Sequence, residues 1–335
     1  MATVIEVDPV AADRAVLERA AAVLRAGGLV AFPTETVYGL GANALDPAAV
    51  ARIFAAKGRP ADNPVIVHAP DAETAWRVTT GPTPLARRLA EVFWPGPLTL
   101  VLPAADALPR AATAGLPSVA IRVPDHPVAL ALLRAAGVPV AAPSANRSGR
   151  PSPTAAAHVV DDLGDVVDVV VDGGPCRVGV ESTVVDARGD VPIVLREGGI
   201  SREQLLAVTG AGDVGSAMRA ADLAASPGTR HRHYAPACRV VVAAPGEGAA
   251  VAERLAAGGR RVGLVGPGAV PSGVVGVAQV EGAEDLAARL FQALRDAETA
   301  GVTDLVVEGV AETGIGRAVM DRLRRAAEGS GSVGG

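Results

Sequence analysis

The stretch DPAAVARIFAAKGRPADNPVIVH, Asp46 to His68, decides how the chain is read. Asp46 can cap a first helical turn, Pro47 suits the first position inside it, and Gly58 is a stop. Between them Val50, Ile53 and Phe54 follow helical spacing and place Lys57 on the same apolar stripe. After the turn, PVIVH is a short β-branched run with the look of a buried strand. A capped helix handed to a strand through a Gly/Pro turn is the repeating step of a mixed α/β domain.

The same stretch holds the only lysine of the chain, Lys57; the other 30 of the 31 basic residues are arginines. A cation in a last helical turn complements the helix dipole by ~0.3–1 kcal/mol, but an arginine does that equally well. A compact ammonium facing a phosphate or carboxylate, with Arg59 offering a bidentate fork beside it, accounts for the choice of lysine.

Working outward, TVIEV, LVAF, LTLVLP, VAIRVP, VPVAAP, VVDVVVD, STVVDA and VPIVL read as further strands, with helices such as Ala12–Arg25 and Pro127–Ala136 between them. This first α/β domain is expected over residues 1–208. Residues 209–237 carry no strand pattern and read as a long linker. RVVVAA, RVGLVG, GVVGVAQV and DLVVEGV then alternate with helical segments over 238–328, the order of a smaller Rossmann-like α/β unit, and 329–335 reads as a frayed tail. GLVGPG and GIGRAV do not complete G-x-G-x-x-G, so no dinucleotide is assigned.

Length and composition agree with two folded domains: 335 residues, 49% of them hydrophobic. A formal net charge of −5 argues against a broad basic surface that holds nucleic acid unaided. Cys176 and Cys238 have no neighbouring ligands at zinc spacing, and no secretory or membrane-spanning segment stands out, so a cytoplasmic, reducing setting is expected.

Scarce polar residues gather in a few segments of the first domain. FPTETVYGLGA crowds Thr34, Glu35 and Thr36 after a strand, where a plain turn explains only the proline and glycines. His68 closes PVIVH, as a core histidine or as a ligand. Arg122 sits in an apolar strand and needs a partner, either Glu181 or Asp186 within the chain or a bound anion. PSANRSGRPSPTAAAH, with Ser152 able to cap a helix at Pro153, is either a capped loop or an anion cradle. Ser182 and Arg196 lie at strand edges, on the surface or toward the same ligand. No catalytic triad or metalloprotease signature is present.

Taken together and in order, PTETVYGLG, KGRPADNPVIVH, FWPGPLTLVLP, VAIRVPDHP, APSANRSGRPSPT, GVESTVVD and LREGG closely resemble the threonylcarbamoyl-AMP synthase family, whose catalytic module is the YrdC-type domain. SPGTRHRHYAP and the following unit resemble the linker and C-terminal domain of its two-domain branch. The resemblance implies a twisted mixed sheet around a concave cavity. It also implies a reaction in which L-threonine, bicarbonate or CO2, and ATP with Mg2+ give L-threonylcarbamoyl-AMP and pyrophosphate, for tRNA threonylcarbamoyl-transfer proteins downstream. Thr36, His68, Arg122, Ala142 and Ser182 would line the threonine pocket. Lys57, Arg59, Asn63, Ser118, Ser144, Ser152, Arg196 and Tyr234 would hold ATP, with Lys57 and Arg59 meeting the phosphates in catalysis. His231 stands where a tyrosine is usual. An RNA-binding protein using the same surface, disfavoured by the acidic balance, and a carbamoyl-transfer module of hydrogenase maturation are the competing readings.

Overall fold

The structure, a computed structural model, describes residues 1–9, 14–60, 62–210, 214–216 and 234–330. The described residues divide into two compact units.

In the first unit the helices are α1 (Arg14–Arg25), α2 (Pro47–Lys57), α3 (Ala72–Trp76), α4 (Pro84–Phe93), α5 (Arg110–Thr113), α6 (Pro127–Ala136), α7 (Ala156–Leu163) and α8 (Arg202–Thr209). The strands are β1 (Thr3–Glu6), β2 (Val30–Phe32), β3 (Gly39–Asn43), β4 (Ile66–His68), β5 (Leu98–Pro103), β6 (Ser118–Arg122), β7 (Val140–Ala141), β8 (Val169–Asp172), β9 (Thr183–Asp186), β10 (Ile193–Arg196) and β11 (Gly215–Ser216). They form one mixed sheet in the order β1-β8-β2-β3-β7-β4-β6-β5-β9-β10-β11.

Both faces of its central part are covered, which is why the strands read as continuous apolar runs. Val30, Phe32, Val140, Val169 and Val171 pack with Leu17, Leu24, Leu132 and Leu133 of α1 and α6. Leu29, Ala31, Ala141 and Val170 point the other way, to Val50 and Ile53 of α2 and Leu85 and Leu89 of α4. Lys57 shares the α2 stripe and is 4% exposed.

Local punctuation explains α2 as the sequence predicts. The Ala48 N–H donates to the Asp46 carboxylate at 2.8 Å, Pro47 opens the helix, and Gly58 closes it in the left-handed conformation at φ 59. Strand β3, Gly39–Asn43, lies in a stretch whose glycines read as a turn. A side chain at Gly41 would stand 2.8 Å from Phe32 Cε1 and 2.9 Å from Val140 Cγ1, so close strand packing selects glycine there.

Three further departures are local. The linker reading from 209 gives way at Gly215–Ser216, a two-residue strand parallel to β10. Residues Gly149–Ser152 and Val178–Val180, assigned to the first domain by sequence, group with the second unit. Ser152 caps no helix: α7 begins at Ala156, and the Thr154 N–H donates to His158 Nδ1 at 3.2 Å.

The second unit has a parallel sheet in the order β12-β15-β13-β14, from β12 (Arg239–Ala243), β13 (Val262–Gly266), β14 (Val275–Gln279) and β15 (Asp304–Glu308). Its helices are α9 (Gly248–Ala257), α10 (Gly282–Thr299) and α11 (Gly316–Ser330). This is the Rossmann-like pattern expected from sequence. The tail beyond 330 lies outside the described residues.

Candidate active site

The loop between β2 and β3 is folded by its own hydroxyl. Thr34 Oγ1 receives the N–H groups of Thr36 and Val37, both at 3.2 Å, and lies 2.7 Å from the Val37 carbonyl. That tight turn sends Glu35 and Thr36 inward, at 1% and 0% exposure. Tyr38 seals the loop, its hydroxyl donating to the Gly174 carbonyl at 2.7 Å.

Strands β4 and β6 run parallel with His68 opposite Arg122. Arg122, 3% exposed, donates from Nε to the Gly96 carbonyl at 3.2 Å and from Nη1 to Thr36 Oγ1 at 2.9 Å. Its ionic partner is Glu35, Nη2 to Oε2 at 2.7 Å, and not Glu181 or Asp186. The contact lacks hydrogen-bond geometry: Arg122 Nη2 and both Glu35 oxygens are buried without a hydrogen bond. A guanidinium and a carboxylate so placed are desolvated but under-satisfied, a state a polar ligand relieves.

His68 Nδ1 lies 3.3 Å from the Ile66 carbonyl, and its ring stands edge-on to Phe32 at 6.1 Å. Burial, then the charge of Arg122, pushes its pKa down from 6.5 to about 3, so the imidazole is neutral at physiological pH. Between those two values the unfolded chain binds a proton that the folded chain refuses, so this residue makes stability fall as pH drops through the window. Replacing it with asparagine is expected to flatten the acid limb by about 2.6 kcal/mol between pH 7 and 4.5, at about 1.4 kcal/mol per pKa unit. Urea midpoints at the two pH values check this, and parallel curves for both proteins would refute it.

Lys57 answers the question its rarity raises. Its Nζ lies 2.5 Å from the carbonyls of Ser144 and Asn146, and 3.5 Å from Asn146 Oδ1. The Lys57 carbonyl accepts the Ser148 N–H at 2.9 Å, and Asn146 Nδ2 donates to the Arg147 carbonyl at 2.8 Å. One tetrahedral ammonium thus gathers the loop after β7. Burial and the Arg59 charge push its pKa well down, while Asp162 opposes them. The sequence reading sets this charge directly on the phosphates; in the structure its protons go to the loop.

Arg59, 9% exposed, turns its fork onto the Asn63 and Pro64 carbonyls, at 3.3 and 2.9 Å. Ser182 and Arg196 are buried, not on the surface. The Arg196 Nη2 donates to the Ser182 carbonyl at 2.8 Å and to its Oγ at 3.1 Å, and Ser182 Oγ meets Thr99 Oγ1 at 2.7 Å. Ala142 follows β7 and donates its N–H to the Ile66 carbonyl at 2.8 Å; Ser118 opens β6, and both are 4% exposed.

Hydrogen bonds therefore bring together Thr36 with Arg122, Lys57 with Ser144, Arg59 with Asn63, and Ser182 with Arg196. Ser152 and Tyr234 fall in the second unit. Tyr234, expected in the linker to close over nucleotide, stacks on Phe291 at 5.2 Å with the Arg322 guanidinium 5.5 Å from its ring centre. His231 and most of the expected linker lie outside the described residues. Thr99 and His126, which sequence reading does not single out, lie beside these residues, Thr99 against Ser182 and His126 near Glu35; Glu35 itself is singled out only with the threonines of its turn. His126 Nδ1 is buried without a hydrogen bond, and burial lowers its pKa although Glu35 and Asp125 pull the other way. A carboxylate between two threonines was the available signal for Glu35.

Fold and site define a two-unit α/β protein whose first unit keeps buried cations around the ends of its strands. Residues 22–198 match the family described as "Telomere recombination" (Sua5_yciO_yrdC), and 200–328 match "Threonylcarbamoyl-AMP synthase, C-terminal domain". Relatives named threonylcarbamoyl-AMP synthase from Pyrococcus abyssi and Bacillus subtilis are each 46% identical, over 92% and 93% of both chains. The crystal structure of P. abyssi Sua5 complexed with L-threonine superposes with a TM-score of 0.91 at 43% identity, covering 98% of each chain. The chain belongs to the threonylcarbamoyl-AMP synthase family. No helix among the described residues is long and apolar enough to cross a membrane.

Proposed function

We propose that the protein is an L-threonylcarbamoyladenylate synthase: L-threonine, bicarbonate and ATP give L-threonylcarbamoyl-AMP, pyrophosphate and water, or CO2 replaces bicarbonate and no water is released. The observation that carries the reading is Arg122, buried, braced by Thr36 and Gly96, and leaving Nη2 without a hydrogen bond. A charge-assisted pair with an amino-acid carboxylate satisfies it. Thr36, His68, Ala142 and Ser182 complete the threonine pocket, where hydroxyl and neutral imidazole partners penalise a substrate lacking threonine's own hydroxyl.

Arg59, Asn63, Ser118, Ser144 and Arg196 hold ATP. Mg2+ arrives with the nucleotide as part of that substrate, held on phosphate and water oxygens. The threonine nitrogen, once its ammonium has released a proton to solvent, attacks CO2, supplied as such or by loss of water from bicarbonate. The carbamate oxygen then attacks the α-phosphorus in line and pyrophosphate leaves. The protein contributes orientation, cations against the phosphates, and exclusion of water from a labile carbamate, with no covalent intermediate on the chain. The adenylate passes to tRNA threonylcarbamoyl-transfer proteins in the cytoplasm, without stable binding of nucleic acid by this chain.

Incubation with Mg2+·ATP, bicarbonate and each amino acid in turn is expected to release pyrophosphate with threonine alone. Release with another amino acid, or with none, would refute the assignment.

A further inference from the structure

We infer that Glu35 is a specificity-determining residue that recognises the substrate's α-ammonium, so that Arg122 and Glu35 together form the mirror image of an amino-acid zwitterion. The inference rests on the function proposed above and adds a contact that reading does not contain.

The argument starts from what Glu35 lacks. A fully buried carboxylate ordinarily accepts several hydrogen bonds, since an uncompensated one is costly. Glu35 is 1% exposed, and neither oxygen accepts a hydrogen bond. The turn built on Thr34 fixes its backbone, so the side chain is aimed inward by design of the loop. Its close neighbour Arg122 is itself braced by Gly96 and Thr36, and cannot swing to form a fork with it without breaking those bonds. The other titratable groups that feel Glu35 are the His126 imidazole and the Cys176 thiol. Burial keeps the first neutral at physiological pH and the second protonated, so Arg122 is the compensating charge.

A zwitterion solves this electrostatic problem without changing the charge of the site. Its carboxylate meets Arg122, its ammonium meets Glu35, and each buried ion gains, in addition to the other, a second, hydrogen-bonding partner of opposite sign. An anion lacking the ammonium meets Arg122 but is repelled by Glu35, which builds discrimination against hydroxy acids into the pocket.

The test compares the full-length protein's affinity for L-threonine with that for 3-hydroxybutanoate, which is threonine without its amine, by titration calorimetry. Wild type is expected to prefer threonine by about 30-fold or more, and Glu35→Gln to shrink that preference below about threefold by weakening threonine and strengthening the anion. If both ligands weaken equally, Glu35 merely orients Arg122 and the inference falls while the proposed function stands. Unchanged threonine affinity overturns it likewise. A wild type that binds no threonine overturns both readings. Should Glu35→Gln fail to fold, Glu35→Asp is measured instead: the shortened carboxylate is expected to weaken threonine while leaving 3-hydroxybutanoate unchanged, and equal weakening again refutes the inference.

Discussion

Arg122→Ala is expected to lower kcat/KM for threonine by about 10³-fold, because the pair it forms with the substrate carboxylate is buried and hydrogen-bonded, and removing one partner of such a pair costs ~2–5 kcal/mol. Two effects add. The substrate carboxylate loses its guanidinium, and Glu35, 2.7 Å from Arg122 in the native pair, remains as a bare buried carboxylate that repels it. The same change is expected to cost ~3–5 kcal/mol of folding stability. Stability and activity separate in the double variant. Arg122→Ala combined with Glu35→Ala removes both charges, so the urea midpoint recovers most of its loss while threonine-dependent pyrophosphate release does not return. A single variant with wild-type kcat/KM would remove Arg122 from the substrate's carboxylate. A double variant as unstable as the single one would show that the ion pair is not what the fold needs.

Local features of the fold were legible because local chemistry fixes them. The cap, the proline and the left-handed glycine of α2 lie within its own 13-residue span, and the continuous apolar run around Ala31 follows from cover on both faces of the sheet. The site was legible only as an inventory. Glu35 and Arg122 are 87 positions apart, and nothing in the spacing says that they meet; Glu181 and Asp186 were equally good partners on paper. Strand β3 was hidden for a different reason. The glycines that let it pack against Phe32 and Val140 are the residues that sequence reading assigns to turns. Ser152 failed as a cap because the Ser-Pro pair that opens many helices here precedes α7 by several residues, and His158 ties the chain ahead of the helix instead. The packing of Tyr234 was hidden for want of tertiary context, since an aromatic in an apparent linker gives no sign that Phe291 waits for it.

Lys57→Arg is the substitution that tests the one lysine, and it is expected to fail in a chain that uses arginine everywhere else. The oxygens of Ser144 and Asn146 converge on one point from the loop after β7, and a tetrahedral ammonium offers them three protons within one small sphere. A planar guanidinium is larger and spreads its donors over a fork, so it cannot occupy a site 4% exposed without displacing the loop. Lys57→Ala leaves the pocket intact but strands the acceptors, at ~1–3 kcal/mol for each buried one left unpaired. Both variants are therefore expected to lose about 2–4 kcal/mol of stability, read as a lower urea midpoint. Both should also raise the KM for ATP by about tenfold or more while threonine affinity changes far less, since a loop no longer held by the ammonium misplaces Ser144, which the proposed function assigns to ATP. The split matters, because an ammonium acting solely on the phosphates would lower activity with the urea midpoint unchanged. Lys57→Arg with wild-type stability and wild-type kinetics would show that the site accepts any cation, and the loop clamp would have to be abandoned.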